Sequence, residues 1–341
     1  MLRSADLRRF LSSYSMVPVA VVLLALSTAI NPTFMSHFNI LAILLDTAIF
    51  GFLVLGEGLV VLTGGIDLSV GNMASMSSVI IVWVMKNLYG AIPDGLNVVA
   101  SVLAALALCG LVGLLTGLCV ANLGIPPLIA TLGSMWIVQG VGYAFLKGVP
   151  TQYPIRAFKT IFAGSLGPVP FSMLYLLAAS LLLAMVLRRY RYGRWVYAVG
   201  GNEYAAYISG INVRAVKLAV YTASAVLSGL AGALVGAFSS VGYPRACNGY
   251  ELYAIAAIVM GGIALTGGEG KIWHALAGLL VLRIVNKLMI FSGLSGYFEG
   301  MVVGAILVLT LFVGSIRRKA APGAERPAVE PAGGEQREGR P

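Results

Sequence analysis

The sequence predicts an all-α polytopic membrane protein of about ten transmembrane helices, some of them short or broken. Of its 341 residues, 59% are apolar and only 11% are charged. A soluble domain carries roughly a quarter charged residues. Mean hydropathy is +0.90, and the apolar residues fall into runs of the length that crosses hydrocarbon, about 20 residues of helix. The basic residues collect at the ends of those runs, as the positive-inside rule describes. That distribution accounts for the formal net charge of +10 and argues against a nucleic-acid partner.

Counted by length, the spans lie near 16–30, 40–63, 69–86, 97–121, 127–146, 171–188, 217–240, 251–266, 272–291 and 298–315. The first is short. It also resembles the apolar part of a signal peptide, with Arg3, Arg8 and Arg9 before it and Ser27-Thr28-Ala29 as a conceivable cleavage site. An uncleaved span is the expectation, because Asn31-Pro32 reads as a helix stop and the parity of the later spans puts the N-terminus inside. The second run is long enough to be tilted, or broken around Gly56 and Gly58. An even number of crossings puts both termini on one side. Arg3, Arg8, Arg9, the arginines of 188–217 and Arg317-Arg318-Lys319 then share a face, assigned to the cytoplasm. The outer face carries the more scattered Lys86, Lys147, Arg156, Lys159 and Arg245.

This divides the chain into a cytoplasmic N-terminus at 1–15, a transmembrane domain at 16–316 and a cytoplasmic tail at 317–341, expected to be disordered because it lacks apolar periodicity. The longest outer segment, 147–170, contains Pro150, Pro154, Pro168 and Pro170 and reads as an external loop with a short interfacial piece around 155–163. Gly113-xxx-Gly117 and Gly232-xxx-Gly236 have the spacing that lets helices approach closely inside lipid. Cys109, Cys119 and Cys247 show no metal-ligand spacing and read as small core residues rather than a disulfide framework.

The most polar interruption is 188–217, holding Arg188, Arg189, Arg191, Arg194, Arg214 and Lys217. Its centre reads as a short helix. Asn202 can accept a first-turn N–H as N-cap, Glu203 complements the helix dipole, and Gly210 can close the helix in the left-handed region. It is either a docking element or a connector held inside the cell by its arginines.

Two glycine-rich stretches break the helical pattern, TGGIDLSVG at 63–71 and GGIALTGGEGK at 261–271. Gly64-Gly65 ends one helix, and Asp67 or Ser69 can cap the next. The shared Gly-Gly-Ile and Leu-(Ser/Thr) pattern suggests a parallel internal repeat. Gly270-Lys271 does not complete a phosphate loop, since Leu265 stands where the first glycine is needed and Ile272 where Ser or Thr is needed. The chain is therefore expected to hold no ATP, and no metal or other cofactor. Ionisable residues within spans are functional candidates. Asp46 and Glu57 lie about three turns apart on one face, as do Arg283 and Lys287 one turn apart. They form a polar path or proton relay, or else the carboxylates are bonded inside the bundle and the cations snorkel to the outer interface. His37 and His274 show no partner pattern.

The segments LVVLTGGIDLSVGN (59–72), GGNEYAAYISGINVRAVKLAVY (200–221) and GYELYAIAAIVMGGIALTGGEGKIW (249–273) closely resemble the permease subunits of ribose-type ABC importers. The resemblance covers nearly the whole chain except the tail. It implies a non-catalytic subunit of the bacterial cytoplasmic (inner) membrane, paired with a second permease copy. Cytoplasmic ATP-binding subunits would drive it, and an extracytoplasmic solute-binding protein would deliver a monosaccharide or related polyol. The loop at 188–217 would carry the cytoplasmic coupling helix, with Asn202, Glu203, Tyr204, Ala205, Ala206 and Gly210 as the coupling residues. Ala205, Ala206 and Gly210 fit the EAA-xxx-G pattern, while Tyr204 stands in the place of its Glu and Glu203 lies one residue early. Asp is common around Tyr253, and Gly261-Gly262-Ile263 replaces a GG-Thr.

The path would be lined by the broken segments, because irregular backbone at membrane depth is tolerated only against protein or water. Its candidates are Glu57, Gly64, Gly65, Asp67, Ser69, Gly261, Gly262, Gly267 and Gly268. Arg156, Lys159 and Arg245 could seat acidic lobes of the binding protein, or be ordinary solvated loop charges. The competing readings are an ion-coupled secondary transporter acting alone, with Glu57 or Asp46 as its proton site, and a structural or channel-like membrane subunit.

Overall fold

A computed structural model of the protein describes residues 16–153, 156–294 and 298–320. The expected cytoplasmic N-terminus at 1–15 and the tail beyond residue 320 lie outside the described residues. Each of the ten expected spans falls on a helix: α1 (Met16–Ile30), α2 (His37–Leu62), α3 (Val70–Asn87), α4 (Asp94–Ala121), α5 (Pro127–Leu146), α7 (Phe171–Arg189), α10 (Val213–Ser239), α11 (Tyr250–Met260), α12 (Ile272–Phe291) and α13 (Glu299–Ala320). Between them, among the described residues, lie three short α-helices, α6 (Arg156–Ala163), α8 (Arg191–Gly201) and α9 (Glu203–Ile208), and a 3-10 turn at Pro32–Met35.

Among the described residues, six helices are long and apolar enough to cross a membrane: α2, α4, α5, α7, α10 and α12. α3 is not one of them, and packing explains why. Its residues 70–82 are all buried, with α4, α5 and α10 around them. A helix walled off by protein need not be apolar, provided its polar groups are bonded. Ser77 Oγ donates to the Gly229 carbonyl at 2.7 Å, Asn72 Nδ2 to that of Met135 at 3.1 Å and Ser78 Oγ to that of Ser75 at 2.7 Å.

α10 is the axis of the bundle, packed on α2, α3 and α4. Small residues let the backbones close. A Cβ on Gly113 would lie 2.5 Å from Ala225 Cβ and 2.8 Å from the Tyr221 carbonyl oxygen, and one on Gly117 would lie 3.1 Å from Leu218 Cα. A Cβ on Gly232 would run into the Ala74 carbonyl.

Three helix expectations change. α2 is continuous rather than broken at Gly56 and Gly58. Those glycines admit neighbours, the Ser224 backbone 3.0 Å from a Cβ on Gly56 and the Ile272 side chain 3.1 Å from one on Gly58. At 26 residues the helix is about 39 Å long against about 30 Å of hydrocarbon. α11 ends at Met260 instead of 266, because Gly262 takes φ +81° and turns the chain. The glycine breaks do not mark two equivalent halves. α11 and α12 fold directly onto each other, whereas α2 and α3 each pack mainly on α10.

The stretch 147–170 contains α6, where the short interfacial piece was expected, and two-residue strands. β1 (Thr151–Gln152) pairs antiparallel with β4 (Val241–Gly242), and β2 (Ser165–Leu166) with β3 (Val169–Pro170). The first pairing ties this stretch to the connection between α10 and α11.

Candidate functional site

The two glycine breaks meet. α2 stops because Gly64, at φ +78°, turns the chain and Gly65 N–H bonds back to the Val60 carbonyl at 3.1 Å. The second break turns at Gly267 and Gly268, at φ +84° and +75°. Gly268 N–H then donates to the Leu62 carbonyl at 3.0 Å, joining the breaks directly. A Cβ on Gly267 would lie 2.6 Å from Gly64 N and 2.9 Å from the Gly200 carbonyl oxygen. Both contacts are to backbone, so no rotamer change could relieve them.

Beneath this contact lies a buried polar network. Asp67 N–H is held by both oxygens of Glu57, at 3.2 and 3.1 Å. Asp67 Oδ1 accepts from Ser69 N at 2.9 Å and from Ser69 Oγ at 2.6 Å, and Oδ2 accepts from Ser224 Oγ on α10 at 3.0 Å. Glu57 is 0% and Asp67 2% exposed. Ser69 occupies the N-cap position of α3 but makes no side-chain cap bond. Its hydroxyl is spent on Asp67, which secures the turn into the helix.

The candidate path residues thus separate into groups. Gly64, Gly267 and Gly268 lie backbone to backbone. Gly65 faces the Tyr221 hydroxyl, 2.6 Å from where its Cβ would be. Glu57, Asp67 and Ser69 form the network with Ser224. Gly261 lies instead against the His274 and Ala275 backbone of α12, with Gly262 beside it at the end of α11. In this conformation the two breaks lie against one another through Gly64, Gly267 and Gly268.

The stretch 188–217 contains more helix than its centre promised. α8 buries Gly193, Val196 and Val199. Asn202 alone links α8 to α9. Its N–H bonds to the Ala198 carbonyl at 3.1 Å, ending α8. Its Oδ1 accepts from Ala205 N at 2.8 Å, starting α9. α9 closes at Gly210, φ +80°, where Ile211 N–H reaches the Ala206 carbonyl at 3.1 Å. Glu203 is engaged by Lys217 at 2.7 Å. Ala206 is 4% exposed, while Ala205 is exposed and Tyr204 is 73% exposed. Beside α9 opens a cleft of about 890 Å³ bordered by Tyr204, Tyr207, Gly210, Arg214 and Ala121.

The carboxylates of the spans are bonded within the bundle, one of the two expectations, but the cations are placed differently. Arg283 does not snorkel. It is 4% exposed, lies 4.0 Å over the Phe50 ring and pairs with Glu299 of α13 at 3.5 Å. Lys287, one turn on, pairs with Asp46 of α2 at 3.0 Å. The two cations of α12 therefore clamp it to α2 and α13. Asp46 and Glu57 do not form a common path, since Asp46 turns to α12 and Glu57 to the first break. Arg156 and Lys159 are exposed on α6, and Arg245 is exposed just beyond β4.

Sequence reasoning missed Ser224, Tyr221, Tyr197 and Gly200. Gly200-Gly201 carried a usable signal, as another Gly-Gly pair like those of both breaks. Ser224 carried none.

A helical bundle with six helices fit to cross a membrane, interrupted where irregular backbone is sheltered inside protein, defines a multi-pass membrane protein of the transporter class. The chain belongs to the family described as branched-chain amino acid transport system / permease component, whose model matches residues 39–311. It is 33% identical over 306 residues to the ribose import permease protein of Bacillus subtilis (strain 168), covering 88% of this chain and 91% of that one. It is 35% identical over 297 residues to the ribose import permease protein of Escherichia coli (strain K12), covering 86% and 90%. It is 29% identical over 316 residues to the galactose/methyl galactoside import permease protein of that strain, covering 88% and 93%. No solved structure matches it significantly.

Proposed function

We infer that the chain is the membrane-spanning permease subunit of an ATP-driven importer that moves a monosaccharide or related polyol from a binding protein into the cytoplasm. The observation that carries this reading is likeness to ribose and galactose import permeases over most of each chain. The chain is a transport subunit and not an enzyme. ATP is hydrolysed by cytoplasmic ATP-binding subunits, and an extracytoplasmic solute-binding protein delivers the solute. A second permease copy completes the membrane unit in the bacterial cytoplasmic membrane. The ten apolar helices each cross, with both termini inside.

α9 is the coupling helix. Its capped, exposed face and the adjoining cleft suit it to a socket in the ATP-binding subunit. Arg156, Lys159 and Arg245 seat the binding protein on the outer face. The path opens where the two breaks separate, near Glu57, Gly64, Gly65, Asp67, Ser69, Gly261, Gly262, Gly267 and Gly268. An ion-coupled transporter acting alone is disfavoured, because Asp46 is paired with Lys287 and Glu57 holds the Asp67 N–H.

Ala205→Asp places a charge on the exposed face of α9, and Gly210→Val forces a β-branched residue into φ +80°, where L side chains are strained by about 1–2 kcal/mol. Either change should release the ATP-binding subunit in pull-downs while the permease still inserts. Unchanged co-purification and unchanged transport by both variants would refute α9 as the coupling helix.

A further inference from the structure

We propose that α8 is the relay between the coupling helix and the two helix breaks, with Gly200 and Tyr197 as its positioning residues. This rests on the functional reading above and extends it to residues that family membership does not assign.

Asn202 is the joint between α8 and α9. It ends α8 with its N–H and starts α9 with its side chain and its carbonyl, which accepts from Ala206 N at 2.9 Å. No free residue lies between the helices, so a displacement of α9 is passed to the C-terminus of α8. The same end of α9 is also tied to α10, through Glu203 to Lys217.

Gly200 rests on the Leu62–Gly268 bond that joins the breaks. A Cβ there would collide with the Leu62 carbonyl oxygen and would lie 2.5 Å from Gly268 N. Those two atoms are the acceptor and donor of the Leu62–Gly268 hydrogen bond. One turn earlier, the Tyr197 hydroxyl donates to the Gly270 carbonyl at 2.9 Å. α8 therefore touches the end of the first break through Gly200 and grips the second through both Gly200 and Tyr197. Beyond Gly64, the first break leads within three residues to Asp67, bonded to Glu57 and to Ser224 of α10. A shift of α8 acts on both breaks together, so they open and close as a unit.

Gly201 supplies the control. It adjoins Gly200, yet a Cβ on it would meet nothing within 4 Å. Small size is required at 200 and not at 201.

The test uses the chain in lipid nanodiscs with its ATP-binding subunit. Hydrogen exchange is measured at 62–68 and 264–270, with and without vanadate-trapped nucleotide. Trapping should change exchange at both breaks in the unmodified complex. Tyr197→Phe should keep capture of the ATP-binding subunit and ATP hydrolysis, but reduce the exchange response at both breaks by about three- to tenfold, the range covered by one hydrogen bond. Gly200→Ala should reduce it further, and Gly201→Ala should behave as the unmodified chain. If Gly200→Ala does not fold, Tyr197→Phe decides the question alone. A full response in Tyr197→Phe, or a response lost equally in Gly201→Ala, would overturn the relay. So would loss of subunit capture in Tyr197→Phe, which would make α8 a docking scaffold only. Failure of the unmodified chain to capture any ATP-binding subunit would instead overturn the functional reading, and the relay with it.

Discussion

Arg283→Ala destabilises the bundle by about 1.5–3 kcal/mol, the worth of a hydrogen bond to a charged group, since the Glu299 carboxylate left behind is 27% exposed. The guanidinium is almost fully enclosed, lies over Phe50 and faces Glu299. Without it, the Glu299 carboxylate loses its counter-charge at the entry to α13, and Phe50 loses a contact on one face. Replacing both partners with uncharged residues of similar size, Arg283→Met with Glu299→Gln, should recover most of the loss, because a buried pair contributes little beyond its own desolvation cost. Lys287→Ala serves as comparison. Lys287 and Asp46 are both more exposed than Arg283, and a partly solvated pair is worth about 1 kcal/mol or less. Thermal unfolding in detergent measures all three variants. Equal losses for Arg283→Ala and Lys287→Ala would contradict the buried clamp.

Glu57→Ala closes transport. The substitution strips the Asp67 N–H of its only bonded acceptors in the structure, and a buried donor left unsatisfied costs about 1–3 kcal/mol. The turn that follows Gly64 then loses its anchor to α2. Asp67, released from that anchor, is held only by Ser69 and Ser224. Glu57→Gln keeps a carbonyl oxygen in the same place and should retain much of the activity. Uptake assays across the series should therefore rank the unmodified chain and Gln well above Ala. Equal loss in Gln and Ala would make the negative charge, rather than the acceptor, the functional feature, and would favour a proton site at Glu57.

Much of this fold was legible because lipid imposes a ruler on sequence. All ten apolar runs fall on helices, and several ends were readable from their chemistry. Asn31 accepts from Thr33 N in the turn that follows α1, Asn202 caps α9, and Gly210 takes the left-handed turn. Of the two readings of α2, tilted or broken, the break is absent, because inside the bundle Gly56 and Gly58 admit neighbours. At α11 the apolar run extends to 266, past the Gly261-Gly262 break that the sequence also shows, and the positive φ at Gly262 ends the helix there.

The site was less legible because its contacts join residues far apart in the chain. Nothing local to Leu62 announces Gly268, and nothing local to Asp67 announces Ser224. Arg283 read as an interfacial cation because its partner, Glu299, lies on the next helix. α8 was within reach. Tyr192, Val196 and Val199 recur at helical spacing, but the surrounding arginines drew the reading toward sidedness. The glycines of 63–71 and 261–271 mark both breaks in the sequence, but nothing there shows that α8 meets them at Gly200.

The most direct test of the central claim is uptake of radiolabelled ribose and galactose into vesicles containing this chain. Uptake is expected only when the ATP-binding subunit, the solute-binding protein and ATP are all supplied, and it should disappear when the ATP-binding subunit is inactivated. Uptake by the purified chain alone, driven by a proton gradient, would contradict the account.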